Sequence, residues 1–197
     1  MTSSGGHDLV AIGASWGGLD ALRQILGSLP PDFDAAVVIA QHRAPESHPT
    51  AFRDLLGAVT RLQVREASDK DAIRPGTVYI APPDYHLLVD PSSVSLSTDR
   101  PVSYARPSID VLFETAAESF RERCAGVVLT GANTDGADGL ARIVELGGAA
   151  IVQDPADATR DEMPRAALRA VPSARTAPAA EIGPLLLELC GLAKVHA

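Results

Sequence analysis

A chain of 197 residues, 46% apolar and 21% charged, is long enough to bury about 70% of the surface that its unfolded form exposes, so it needs no disulfide or metal staple. A net charge of −8, with two lysines among 17 cationic residues and no basic run, excludes the basic footprint of a nucleic-acid binder and disfavours anionic membranes. No apolar stretch reaches membrane-spanning length, residues 1–8 hold no signal-peptide core, and Cys124 and Cys190 have no metal-ligand spacing; the chain reads as cytoplasmic, without membrane insertion, with reduced structural thiols and with neither metal nor other cofactor.

Residues 9–14 (LVAIGA) form a short apolar run that ends in glycine-rich sequence, the pattern of a buried parallel strand. Residues 18–29 carry Leu19, Leu22, Ile25, Leu26 and Leu29 at helical spacing and stop at Pro30-Pro31. A second buried strand is predicted over 35–41, a helix over 50–59 and a strand over 62–66. The segments 77–81, 85–89 and 93–97 alternate in polarity and are divided by Pro, Asp and Gly, which predicts antiparallel hairpins. Ser108 is a good N-cap with Asp110 in the first turn, opening a helix whose inner face is Val111, Leu112, Thr115 and Ala116. A third buried strand over 126–130 is followed by a helix over 136–146 that stops at Gly147-Gly148. Then come a strand over 149–152 and helices over 163–171 and 180–192, the last two joined by a Pro/Ala-rich surface crossing at 172–178. The alternation predicts an α/β fold, a doubly wound and mostly parallel sheet with helices on both faces and an added antiparallel hairpin. No repeat or long linker divides the chain, so one domain is expected over 1–197, with its core at about 8–192.

In such sheets ligands bind at the carboxyl ends of the strands. Ser15 follows the first strand, His42 the second, and Asp135 lies shortly after the third buried strand. Ser15 sits in Gly13-Ala14-Ser15-Trp16-Gly17, a G-x-S-x-G turn whose glycines let the chain bend sharply and expose the hydroxyl. A serine needs a neutral imidazole to take its proton, and the imidazole needs a carboxylate to fix its tautomer. The free N–H groups of the following helix can stabilise an oxyanion. Each residue alone also fits a plainer role: GASWGG a phosphate-cradling turn, His42 a rim histidine, Asp135 the N-cap of its own helix. The order Ser, His, Asp differs from the Ser, Asp/Glu, His of α/β-hydrolases. His86 reads as a packed strand residue and His48 as a solvated loop residue, while His7 and His196 lie near the termini.

The blocks AIGASWGG, VVIAQH, YIAPPDYH, RPSIDVLF, VVLTGANTDGADGL and MPRAAL, in this order, resemble the catalytic domain of the chemotaxis protein-glutamate methylesterases (CheB), over about residues 8–192. The resemblance implies hydrolysis of glutamate methyl esters, and deamidation of certain glutamines, on the helical cytoplasmic region of chemoreceptors. It places the catalytic roles on Ser15, His42 and Asp135, and it makes the backbone N–H groups of Trp16 and Ala132 the candidates for the oxyanion hole. Three positions depart from the family pattern. Trp16 stands where a small Ser or Thr is usual, and Arg43 where an apolar residue is common. In the T-G-M-G-x-D-G loop, Ala132 and Asn133 replace Met and Gly; if that Gly needs a positive φ, Asn is its least costly substitute. Arg43 and Arg106 are candidate rim cations for an acidic helical substrate. With only about eight residues before the first strand, no receiver domain is expected within the chain, which makes a separate regulatory protein a candidate partner.

Overall fold

The computed structural model describes residues 7–43 and 50–191; His48, His196 and Leu192, the expected end of the last helix, lie outside them. The strands are β1 (Leu9–Ala14), β2 (Ala36–Gln41), β3 (Gln63–Glu66), β4 (Thr77–Ile80), β5 (His86–Val89), β6 (Val94–Ser97), β7 (Cys124–Val128), β8 (Ala149–Gln153) and β9 (Arg175–Ala177). The helices are α1 (Gly18–Ser28), α2 (Ala51–Gly57), α3 (Ile109–Phe120), α4 (Ala137–Glu145), α5 (Glu162–Ala170) and α6 (Ala179–Cys190). Seven strands form one parallel sheet in the order β3-β4-β2-β1-β7-β8-β9, while β5 and β6 pair antiparallel beside it.

Every residue of β1 and β2 is buried, which explains their unbroken apolar runs: a central parallel strand is covered on both faces. The pleat sends alternate side chains to opposite sides. Leu9 and Ala11 join Leu112, Phe113, Leu140 and Ala167 from α3, α4 and α5. Val10 and Ile12 join Leu22, Ile25, Leu56 and Ile182 from α1, α2 and α6. Cys124 and Cys190 are free and buried, and burial pushes both thiols up to about 12, which leaves them protonated and inert.

Two expectations need correction. Residues 77–80 are not part of a hairpin; β4 runs parallel to β2 and β3, between them, and all four of its residues are buried. Of the three segments, β5 and β6 alone pair as a hairpin, which docks on α3, where the Val89 N–H donates to Thr115 Oγ1 (3.1 Å) and Ser119 Oγ–H to the Val89 carbonyl (2.8 Å). The crossing at 172–178 contains β9, a three-residue edge strand held by parallel pairing with β8.

Register positions the site. Gly13 is level with Ala40 of β2 and Val128 of β7, so the carboxyl ends of three central strands finish on one rim. The strand order reverses between β1 and β7, the crevice where a doubly wound sheet takes its ligands. Across the lower layer, Phe113 is fully buried between α3 and α4, with its Cβ only 2.6 Å from where a Gly139 side chain would begin. Phe113→Ala keeps that Cβ but removes the fully buried ring, leaving a void in the core. It should lower stability by about 3–5 kcal/mol, read as a fall in the urea midpoint at constant slope; a loss under about 1 kcal/mol would show that this layer is not a close-packed core.

Candidate active site

The ends of β1, β2 and β7 are stitched together before any chemistry begins. The Ser15 N–H donates to the Thr130 carbonyl (3.0 Å) and the His42 N–H to the Ala14 carbonyl (3.0 Å). Gln41, the polar last residue of β2, donates from Nε2 to the carbonyls of Ser15 (2.7 Å) and His42 (3.1 Å). Thr130 Oγ1–H donates to the Trp16 carbonyl (2.9 Å). Gly17, at φ 81°, makes the left-handed turn that starts α1. Gly131 leaves no space for any side chain: a Cβ there would lie 1.9 Å from Met163 Sδ and 2.8 Å from Ser15 Cβ.

The structure brings Ser15, His42 and Asp135 into one hydrogen-bonded series. His42 Nδ1 lies 3.2 Å from Ser15 Oγ, and Nε2 lies 2.8 Å from Asp135 Oδ2. An ionised carboxylate only accepts, so the Nε2–H donates to Asp135 and Nδ1 keeps its lone pair toward the serine. This ring orientation is the reverse of the chymotrypsin-like arrangement, in which Nε2 faces the nucleophile. Ser15 and His42 are half-buried, whereas Asp135 is 1% exposed.

Sequence reasoning missed what holds Asp135. It does not cap its own helix: Gly136 is the N-cap of α4, and it brings no side-chain cap. Instead, the Asp135 carboxylate sits at the N-terminus of α3, accepting from Ser108 Oγ–H (2.9 Å) and from the N–H groups of Ile109 (2.7 Å) and Asp110 (3.0 Å). Burial alone would raise its pKa. The hydrogen bond from His42, those from the two backbone donors and the attraction of His42 outweigh burial and hold Asp135 below the usual carboxylate value. Asp110 supplies the missing cap in exchange, its Oδ1 accepting from the N–H groups of Gly136 (2.9 Å) and Gly139 (2.8 Å). His86 is buried, with its Nδ1 accepting from the Ser108 N–H (3.2 Å), so it props the start of α3 and stands apart from the reacting groups.

The two arginines are not free rim cations. Arg43 is nearly buried at 7% side-chain exposure. Its Nη2 donates to Glu66 Oε1 (3.2 Å) and to the Ala81 carbonyl (2.8 Å), and its Cζ lies 4.9 Å from the centre of the Phe52 ring. Arg106 spends four hydrogen bonds on Asp84 and on the carbonyls of Thr98 and Asp99. Both side chains form walls. A cleft of about 610 Å³, bordered by His42, Arg106, Tyr104 and Asn133, lies on one side of Arg43; a hollow of about 380 Å³, bordered by Ser15, Leu19, Phe52 and Leu55, lies on the other. Trp16 is 65% exposed beside the serine. Neither its N–H nor that of Ala132 donates a hydrogen bond within the described residues. Asn133 does not adopt a positive φ; its side chain instead reaches His42 and Asp135. Among the described residues, no group of three His, Cys, Asp or Glu side chains is placed to hold a metal, and no helix is long and apolar enough to cross a membrane.

The paired carboxyls predict a pH signature. Burial pushes Asp110 up to about 7, with the Asp135 charge adding to the rise and the Gly139 and Gly136 N–H groups opposing it. A carboxyl whose folded pKa exceeds its unfolded value stabilises fully below the unfolded value, about 4, and loses that contribution as pH climbs through about 7. Asp110→Asn keeps the accepting oxygen but cannot ionise. Its Tm relative to wild type should therefore improve steadily from pH 4 to pH 8; a difference independent of pH would show that Asp110 does not titrate in this range.

Comparison with known proteins gives the chain a family and a fold. The family model for CheB methylesterase matches residues 10–186. A Leptospira interrogans protein is 46% identical over 165 residues, 83% of this chain and 85% of that one. The Anaeromyxobacter dehalogenans protein-glutamate methylesterase/protein-glutamine glutaminase 2 is 41% identical over 182 residues, which is 92% of this chain and 53% of the relative. The crystal structure of the Thermotoga maritima CheB methylesterase catalytic domain superposes with a TM-score of 0.89 at 31% identity, covering 93% of this chain and 98% of that one. On family match, identity and fold together, the chain belongs to the CheB methylesterase family.

Proposed function

We propose that this chain hydrolyses glutamate methyl esters, and deamidates glutamines, on the cytoplasmic helices of a chemoreceptor, with Ser15 as nucleophile, His42 as general base and Asp135 as the group that orients it. The observation that carries the reading is the hydrogen-bonded series from Asp135 through His42 to Ser15, at the mouth of the crevice between β1 and β7. The relatives' methylesterase and glutaminase names supply the substrate class.

Ser15 Oγ attacks the ester carbonyl as its proton passes to His42 Nδ1. The ring, then cationic, stays fixed by Asp135, whose charge stabilises it. The carbonyl oxygen becomes an oxyanion and takes hydrogen bonds from the N–H groups of Trp16 and Ala132. The acyl–oxygen bond breaks, and the methoxy group leaves as methanol with the proton from Nδ1. A water then gives a proton to Nδ1 and attacks the acyl-serine, and Ser15 regains its proton as the glutamate is released. With a glutamine substrate, ammonia leaves in place of methanol.

Methanol release from a methylated receptor fragment tests this. Ser15→Ala should reduce it by several orders of magnitude, and Asp135→Asn by about 10⁴-fold, the loss that follows when the carboxylate no longer fixes the tautomer. Release undiminished in Ser15→Ala overturns the assignment. If methanol is absent but Ser15-dependent hydrolysis of small acyl esters remains, the chemistry stands and the substrate is a different ester; the exposed Trp16 beside the nucleophile is the observation that favours this second reading.

A further inference from the structure

Asn133 is a polar side chain within reach of the reacting atoms that the mechanism above leaves unused. It borders the larger cleft, with its Nδ2 3.4 Å from His42 Nδ1, while its Oδ1 accepts from the Asp135 N–H (3.2 Å). A backbone N–H can only donate. That contact therefore fixes which end of the amide is oxygen, and the end facing the imidazole is the N–H₂ donor.

A neutral imidazole with its proton on Nε2 has one in-plane lone pair, at Nδ1. Two donors lie within reach of it: the Ser15 hydroxyl at 3.2 Å and the Asn133 amide at 3.4 Å. Both distances are long for a side chain holding such a bond alone, as sharing predicts. A proton on Nδ1 would instead point N–H against N–H. From this juxtaposition, and resting on the roles assigned to Ser15 and His42 above, we propose that Asn133 is a positioning residue that keeps the resting His42 with Nδ1 unprotonated and competes with the Ser15 hydroxyl for its lone pair. The site thereby gives up maximal rate and stays active at lower pH. The glycine that the family resemblance expects at this position has no group able to do either.

Among the described residues, the charged groups around His42 are held by partners of their own. Asp135 holds the Nε2 side, and Asp110 of α3 stands behind Asp135 through its own N–H. Arg43, the next residue in the chain, turns to Glu66, and Asp84 across the cleft is bound by Arg106. Asn133 enters this set only by accepting from the Asp135 N–H, a bond that Gly and Leu both remove and Asp retains.

The experiment follows the burst of p-nitrophenol from p-nitrophenyl acetate, which reports acylation alone, across pH 4–9. It compares wild type with Asn133→Gly, Asn133→Leu and Asn133→Asp, after thermal melts show that each variant folds. Leu keeps the bulk of Asn without its hydrogen bonds. Gly and Leu should both raise the plateau acylation rate about fivefold, the equivalent of one neutral hydrogen bond, and move the acid limb to higher pH by on the order of half a unit. Asp, an acceptor facing Nδ1, should move the limb further in the same direction. Profiles of Gly and Leu that superimpose on wild type overturn the proposal, as does a lowered plateau in both. So does a Leu variant that behaves as wild type while Gly does not, since bulk would then be the cause. A burst that persists in Ser15→Ala would overturn the assignment of the nucleophile instead, which separates the two failures.

Discussion

The structure depends on a buried negative charge. A carboxylate removed from water costs several kcal/mol unless it is paired and hydrogen-bonded on every side. Asp135 meets that demand with four donors from two places in the sequence: the Ser108 hydroxyl and the Ile109 and Asp110 amides at the start of α3, and the His42 ring. The start of α3, the loop after β7 and the end of β2 therefore cannot move independently. The Asp110 carboxylate returns the favour by binding the amides that open α4, so each of two helix starts is capped by a residue of the other segment. The imidazole is held in place as one part of this arrangement.

Much of the framework was legible because burial leaves a direct trace in composition. β1, β2 and β7 are short apolar runs for the simple reason that both of their faces are covered. The positions of Ser15, His42 and Asp135 followed, since each comes soon after such a run. The direction of β4 was not legible: four alternating residues look alike in either orientation, and the partners that decide it, β2 and β3, are set by the fold as a whole. β9 was missed because two of its three residues are exposed and its place comes from its register with β8.

The finer parts of the site were hidden for a related reason. Ser108 was read correctly as the N-cap of α3, accepting from the Val111 N–H. A hydroxyl also donates, however, and nothing in the local sequence says that its proton goes to Asp135, 27 residues away. Arg43 and Arg106 looked like rim charges because their neighbours in sequence gave them no partners; Glu66 and Asp84 reach them only through the fold. Asn133 looked like a glycine substitute chosen for backbone freedom. It does not adopt a positive φ, and its side chain reaches His42 and the Asp135 N–H.

The parallel sheet has a consequence for the order in which the molecule acquires activity. The pairing of Leu9 with Cys124 joins residues more than a hundred positions apart, and no hairpin brings them together early. Such closures are entropically late and make folding slow. A chain still emerging from the ribosome can hold the Ser15 turn and even the β1–β2 pair, but it has no carboxylate for His42 until β7 docks and α3 swings its amides onto Asp135. Under the proposed mechanism, hydrolysis begins only when the longest loop in the sheet has closed, and a partly folded chain is chemically silent toward esters around it.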